Sequence, residues 1–290
     1  MTIDLEPIVS FAHEHGLIVL VDEAHGAHFG IGEPFPNSAI SQGADVVVQS
    51  AHKPLPAMTM GSFLHVNDTY PYVEKLKNVL MMLQSSSPSY PIMASLDIAR
   101  HYISQLTDID ICEIVYSIEQ FRQALSSIEN SYVVTGKAQS YKQDPLKVIV
   151  QSQTGMTGFD LQKRLEQQAI YPELADEFNV LLVMPLAPFR ALDETLVHFK
   201  YALGKHKSQS MIRNHFETID NEVPFSSLEL SYKEMMNASK TLLMFHEAEG
   251  EIAAETVIPY PPGIPLLMKG ERITAQHLNM LERYQQIGAR

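Results

Sequence analysis

Leu17-Ile-Val-Leu-Val-Asp-Glu-Ala-His25 and Ala44-Asp-Val-Val-Val-Gln-Ser-Ala-His-Lys53 are the two stretches whose reading decides the fold. Each is an apolar run rich in β-branched residues that stops abruptly on polar groups, at Asp22 and at Ser50. A third run, Ser62-Phe-Leu-His-Val66, follows Gly61. Runs without polar alternation predict strands of a sheet covered on both faces, and so an α/β fold. In open α/β sheets ligands sit beyond the carboxyl ends of the strands, which is where Asp22 and residues 50–53 fall.

Outward from this centre, residues 5–15 have helical spacing and end at Gly16. Residues 70–130 read mostly as helices, broken by Ser85-Ser-Ser-Pro-Ser-Tyr90. An apolar run at 146–150, a helix at 158–168, a run at 180–184 and a helix at 192–204 form an α+β pattern. Residues 205–224 are polar and lack a period, so a boundary or long connection is expected there. A helix at 232–243, the turn-rich Pro259-Tyr-Pro-Pro-Gly263 and a helix at 274–284 complete the chain. The expected division is residues 1–105, 106–210 and 211–290.

The chain has 290 residues, of which 45% are hydrophobic and 19% charged. At that length roughly 75% of the unfolded surface is buried on folding, enough for a sizeable core. With 21 Lys+Arg against 34 Asp+Glu the net charge is −13, which repels a phosphate backbone and argues against nucleic acid. Every apolar run is far shorter than the ~20 residues that span a bilayer, and Asp4 and Glu6 stand where a signal peptide carries cations, so a soluble cytoplasmic protein is expected. The single cysteine, Cys112, has no sequence partner and is expected to be a buried helix residue.

Asp22-Glu-Ala-His25 matches the hydrolysis motif of DEAH-box helicases in letters only, because no Gly-x-x-x-x-Gly-Lys-Ser/Thr loop is present to hold phosphates. His25-Gly-Ala-His28 and His13-Glu-His15 do not match the helical His-Glu-x-x-His spacing, and no metal is expected. Ser50-Ala-His-Lys53 is more informative. A lysine directly after a buried strand, with burial depressing its amine, is a competent nucleophile toward a carbonyl. Asp22 ends the preceding strand and reaches the same crevice. Pyridoxal phosphate needs a lysine for covalent attachment and a carboxylate for its ring nitrogen. A buried Asp–Lys ion pair is the alternative from spacing alone.

Val21-Asp-Glu-Ala-His-Gly-Ala-His-Phe29, Gly43-Ala-Asp-Val-Val-Val-Gln-Ser-Ala-His-Lys53, Leu55-Pro-Ala57, Gly61-Ser62, Ser86-Ser-Pro-Ser-Tyr90 and Pro259-Tyr-Pro-Pro-Gly-Ile-Pro265 together resemble the Orn/Lys/Arg decarboxylase family. The resemblance runs from about residue 4 to residue 284. It implies a partial fold-type-I large domain, an α+β unit and a small C-terminal α+β domain, with pyridoxal 5′-phosphate as cofactor and lysine, arginine or ornithine as substrate. It also implies that Lys53 attaches the cofactor, Asp22 pairs with the ring nitrogen, Ala24 packs on the ring and Ser50 contacts the phosphate. His52 then lies near the substrate carboxylate or the protonation site, and Glu271 contacts a basic substrate. His25 is either part of the site or a histidine satisfied by backbone behind it.

Two departures stand out. Ala51 and Pro54 occupy positions where family members usually have threonine. The resemblance also finds no counterpart of the family's phosphate loop and ring-stacking aromatic, so the chain is expected to be N-terminally incomplete and to bind the cofactor poorly by itself. A homodimer or larger assembly is implied, with residues 85–90 near the subunit boundary. A non-catalytic partner subunit and an aminotransferase-like enzyme remain the rival readings.

Overall fold

Thr2–Ile3 (β1) and Glu6–Glu14 (α1) lead into Leu20–Asp22 (β2), Val46–Gln49 (β3) and Phe63–Val66 (β4) in the computed structural model, which describes residues 2–129, 131–134, 141–204, 227–260 and 263–286. The helices Val73–Leu83 (α2), Tyr90–Gln105 (α3) and Asp108–Ser126 (α4) follow. Then come Ser131–Val134 (β5), Tyr141–Lys142 (β6), Lys147–Ser152 (β7), Gly158–Glu166 (α5), Leu174–Ala175 (β8), Asn179–Val183 (β9) and Leu192–Leu203 (α6). Tyr232–Asn237 (α7) and Ala275–Gln286 (α8) are the last helices described.

The chain divides into two units. The first comprises Met1–Leu125, Val133–Val148 and Val183–Asp193; the second comprises Ser126–Tyr132, Ile149–Leu182 and Glu194–Arg290. The boundary expected within 205–224 lies outside the described residues, as do Pro261 and Pro262.

In the first unit β2, β3 and β4 form a three-stranded sheet in that order. β2 and β3 are parallel, with Asp22 opposite Val48, and β3 and β4 are antiparallel, with Val48 opposite Leu64. Strand side chains alternate, so Val21, Val47 and His65 share one face while Leu20, Val46 and Val66, with Asp22, Val48 and Leu64, share the other. Val47 is fully buried with Ala39 and Ala44, and Leu5, Val19, Val21 and Ile40 pack against this cluster. The opposite face is open at Leu20 (69% exposed), Val48 and Leu64. Among the described residues the expectation of a sheet covered on both faces is met only in part: Val46 is buried on this second face, whereas Leu20, Val48 and Leu64 lie open because nothing described packs over them.

The strand expected at 17–21 forms at 20–22, because pairing starts where Asp45 binds it. Asp45 Oδ2 accepts from Val19 N at 2.8 Å, and Asp45 N donates to Val19 O at 3.0 Å. Residues 70–130 form helices as read, interrupted between α2 and α3. Along α4, Ile111, Ile114, Ile118, Phe121 and Leu125 recur at three- and four-residue spacing and are buried. Cys112 sits on this helix but is exposed, which corrects its expected burial. It is one residue past Ile111, and a helix turns 100° per residue, so it leaves the apolar stripe.

A second sheet has the order β5-β7-β9-β8. β9 and the first four residues of β7 alternate, with Val148, Val150, Val180 and Leu182 buried. In the second unit Leu161 and Leu165 of α5 and Phe199 of α6 are also buried. Thr157 caps α5 by accepting from Asp160 N. The helix expected at 232–243 stops at Asn237. Ser231 and Glu234 form a capping box at its start, but Asn237, Ser239 and Thr241 follow, side chains that compete for backbone hydrogen bonds. Among the described residues no helix is long and apolar enough to cross a membrane.

Candidate functional site

The carboxyl ends of β2 and β3 lie side by side, and the loops leaving them are stitched together by backbone. Glu23 N donates to Val48 O at 2.9 Å and Ser50 N to Ala24 O at 3.2 Å. The first loop turns tightly: Gly26 N donates to Glu23 O, and Phe29 N to Gly26 O. A Cβ at position 26 would lie 2.5 Å from Glu23 Cγ and 2.6 Å from the Phe29 ring, so only glycine fits. The second loop curls through Lys53 N to Ser50 O and Leu55 N to Ala51 O.

Glu23, which the sequence reading passed over, is the fastener of this corner. Its Oε1 accepts from Ala39 N at 2.9 Å, and its Oε2 accepts from Ser38 Oγ at 3.0 Å and Gln49 Nε2 at 2.6 Å. A carboxylate holding three donors locks the loop after β2 to the end of β3. The only sequence signal was its place between Asp22 and Ala24.

On this corner the chain gathers Asp22, Ala24, His25, Ser50, His52 and Lys53. Asp22 is exposed, and its Oδ1 accepts from Ala24 N at 3.0 Å, which orients the carboxylate. Lys53 is also exposed, so the buried amine inferred from the strand pattern is corrected: it stands on the turn beyond Gln49, where β3 has already ended. Its Nζ lies 3.2 Å from His25 Nε2. Asp22 and Lys53 form no ion pair, so the alternative of a buried Asp–Lys pair is not what the structure contains. Ser50 and His52 are half-buried. His52 Nδ1 lies 2.9 Å from Gly61 O, which only accepts, so Nδ1 carries the hydrogen and Nε2 of the neutral ring keeps the lone pair.

Glu271 belongs to the second unit, where its Oε2 accepts from Met268 N at 2.6 Å and its carbonyl accepts from Ala253 N. His13 bonds Asp45 and His15 bonds Phe11 O, which accounts for the other short-spaced histidines.

Three residues beyond His25, His28 is fully buried, with Nε2 3.0 Å from Asp144 Oδ1. His28 Nδ1 and Asp144 Oδ2 have no hydrogen-bond partner. Burial pushes the Asp144 carboxyl up. The hydrogen bond and charge of His28, the Leu146 N–H and the positive charge of Lys147 outweigh it, and the carboxyl sits below its usual value. Lys147 in turn places Nζ 3.1 Å from His25 Nδ1, a contact across 122 residues that no local pattern announces.

An exposed amine, an oriented carboxylate and a hydroxyl stand at neighbouring strand ends. The family model for the Orn/Lys/Arg decarboxylase major domain matches residues 1–139, and the model for the Orn/Lys/Arg decarboxylase C-terminal domain matches residues 209–289. The chain belongs to the Orn/Lys/Arg decarboxylase family. It is 44% identical to the uncharacterized protein YaaO of Bacillus subtilis, over 97% of this chain and 58% of that protein. It is 33% identical to an arginine decarboxylase of Bacillus anthracis, over 98% of this chain and 59% of that enzyme. The chain thus spans less than two thirds of the length of these curated relatives. Among solved structures, lysine decarboxylase A from Pseudomonas aeruginosa superposes with a TM-score of 0.70 at 19% identity, covering 98% of this chain and 51% of that one. The Escherichia coli constitutive lysine decarboxylase gives 0.65 at 18% identity over 93% and 50%. At these identities the superpositions establish the fold, which is that of the fold-type-I pyridoxal-phosphate enzymes.

Proposed function

We propose that this member of the Orn/Lys/Arg decarboxylase family binds pyridoxal 5′-phosphate at the ends of β2 and β3 and decarboxylates a basic amino acid, arginine, lysine or ornithine. The observation that carries the reading is the adjacency of Asp22, which ends β2, to Ser50 and Lys53, which follow its parallel neighbour β3. The cofactor, when bound, supplies an electron sink for the pair left as CO₂ departs.

The chain's own residues supply the rest. With the cofactor bound, Lys53 would offer the attaching amine, Asp22 would keep the ring nitrogen protonated, Ala24 would pack on the ring and Ser50 would hold the phosphate. Lys53 or His52 would return the proton to the reacting carbon. Glu271 is assigned to recognition of a basic side chain. The protein acts in the cytoplasm as a homodimer or larger assembly, with residues 85–90 at the subunit boundary.

Borohydride reduction of the protein incubated with pyridoxal phosphate, followed by peptide mass mapping, tests the reading. At a cofactor concentration high enough to offset the weak binding expected of this chain by itself, label is expected on Lys53 and lost entirely in Lys53→Ala. Label on Lys75 or Lys77 instead overturns the assignment.

A further inference from the structure

Within the first unit a cavity of about 270 Å³ opens where α3 ends and α4 begins, lined by Tyr102, Gln105, Leu106, Asp110, Ile114 and Pro188. None of the residues assigned to the strand-end site lines it. Its walls are tied together before any guest arrives. Tyr102 of α3 donates its hydroxyl to Leu186 O at 2.6 Å, and Phe189 N donates to Ser117 Oγ of α4 at 2.8 Å, so residues 186–189 are fastened to both helices.

The polar atoms of the lining only await donors. The Tyr102 hydroxyl spends its hydrogen on Leu186 O and keeps its oxygen lone pairs. Gln105 Nε2 donates to Ser104 Oγ at 3.4 Å, which leaves Oε1 to accept. Asp110 uses Oδ2 for Thr107 N and Thr107 Oγ1, at 2.8 and 2.6 Å, and keeps Oδ1. Those bonds hold the Asp110 carboxyl below its usual value, as a carboxylate. Burial and then the Asp110 charge push the Tyr102 hydroxyl up, so the two groups share one electrostatic neighbourhood. No Lys, Arg or His lines the cavity to answer that charge. Residues 102–105 are also the last turn of α3, the negative end of its dipole, and no basic side chain stands there. Asp108 and Asp110 offset the positive end of α4.

We propose that this cavity binds a small primary amine in its ammonium form: Tyr102 Oη, Gln105 Oε1 and Asp110 Oδ1 accept its three N–H groups, and its short apolar tail lies on Leu106, Ile114 and Pro188. An alcohol brings one donor and no charge, and a carboxylate brings the wrong sign. The volume lies below the roughly 300–1,000 Å³ of sites for drug-sized ligands, which limits the tail to a few carbons.

Calorimetric titration of the full chain with n-butylammonium chloride, at fixed ionic strength, tests the proposal, with 1-butanol and sodium butanoate as probes of the same tail. Saturable one-to-one binding of butylammonium is expected, with 1-butanol at least about tenfold weaker, the scale of a hydrogen bond to a charged group, and butanoate not bound. Asp110→Asn keeps an oxygen for Thr107 and loses the charge, and should weaken butylammonium about tenfold. Gln105→Lys alters an exposed side chain and sets a cation at the ammonium's place, and should abolish binding. Because Gln105 lies outside the strand-end site, that loss locates the amine in this cavity. Absence of saturable butylammonium binding, equal binding of 1-butanol, or wild-type affinity in either folded variant overturns the proposal.

Discussion

The two sheets of this chain are built from similar residues and do opposite work. β2, β3 and β4 present Leu20, Val48 and Leu64 to the open side, yet their carboxyl ends carry Asp22, Ser50 and Lys53. β7 and β9 bury Val148, Val150, Val180 and Leu182 and carry none of the assigned site residues. The difference teaches that apolar content makes a strand, while the element laid across it decides whether that strand also supplies a core. In the first sheet stability comes from one face and from the fastening at Glu23. In the second it comes from alternation that puts every second side chain inside.

A matched pair of strand leucines sharpens the contrast. Leu182 is 7% exposed and Leu20 is 69% exposed. Leu182→Ala is expected to destabilise the protein by about 2–5 kcal/mol in urea unfolding, because it removes packed atoms and leaves a cavity. A loss below about 1 kcal/mol would show that the second sheet is looser than its burial indicates.

The next largest effect tests how the first unit holds its 144–147 turn. Asp144→Asn is expected to cost about 1–3 kcal/mol at neutral pH, since His28 is left buried without its charged partner. The Asp144 carboxyl is depressed from its ordinary value of 3.8, so its contribution is fully present above that value and disappears as pH falls through the lower folded value. Unfolding curves of wild type and Asp144→Asn should therefore run parallel from pH 7 to 5 and converge below about pH 4. Convergence on raising the pH instead would reverse the sign of the argument.

The smallest expected effect is Leu20→Ala, within about 0.5 kcal/mol of wild type. If it matched Leu182→Ala, the open face of the first sheet would be covered in solution and the contrast between the sheets would disappear.

Much of the site was legible in the chain. Asp22 and Ser50 stop apolar runs, and a polar residue that ends a buried run marks a strand end whatever lies around it. His52 and Lys53 stand directly after the second of those ends, while Ala24 was offered only by the family resemblance. The helix expected at 158–168 was legible in its apolar spacing and forms at 158–166. Cys112 and the end of α7 were misread because one residue's rotation, or one cluster of Asn, Ser and Thr, outweighs a window-averaged apolar pattern. Glu23 was overlooked because an acid between two site residues looks no different from a solvated one until its three donors are seen.

The sequence by itself determined the strand ends, the family and the residue types offered to a cofactor, because those depend on local order along the chain. Only the tertiary structure decided that Lys53 is exposed, that His28 is buried against Asp144 and that Lys147 points at His25. Each of these joins or bares residues according to what lies across from them, more than a hundred positions away for the two histidine contacts, and hydrogen bonds at that separation leave no periodicity to read.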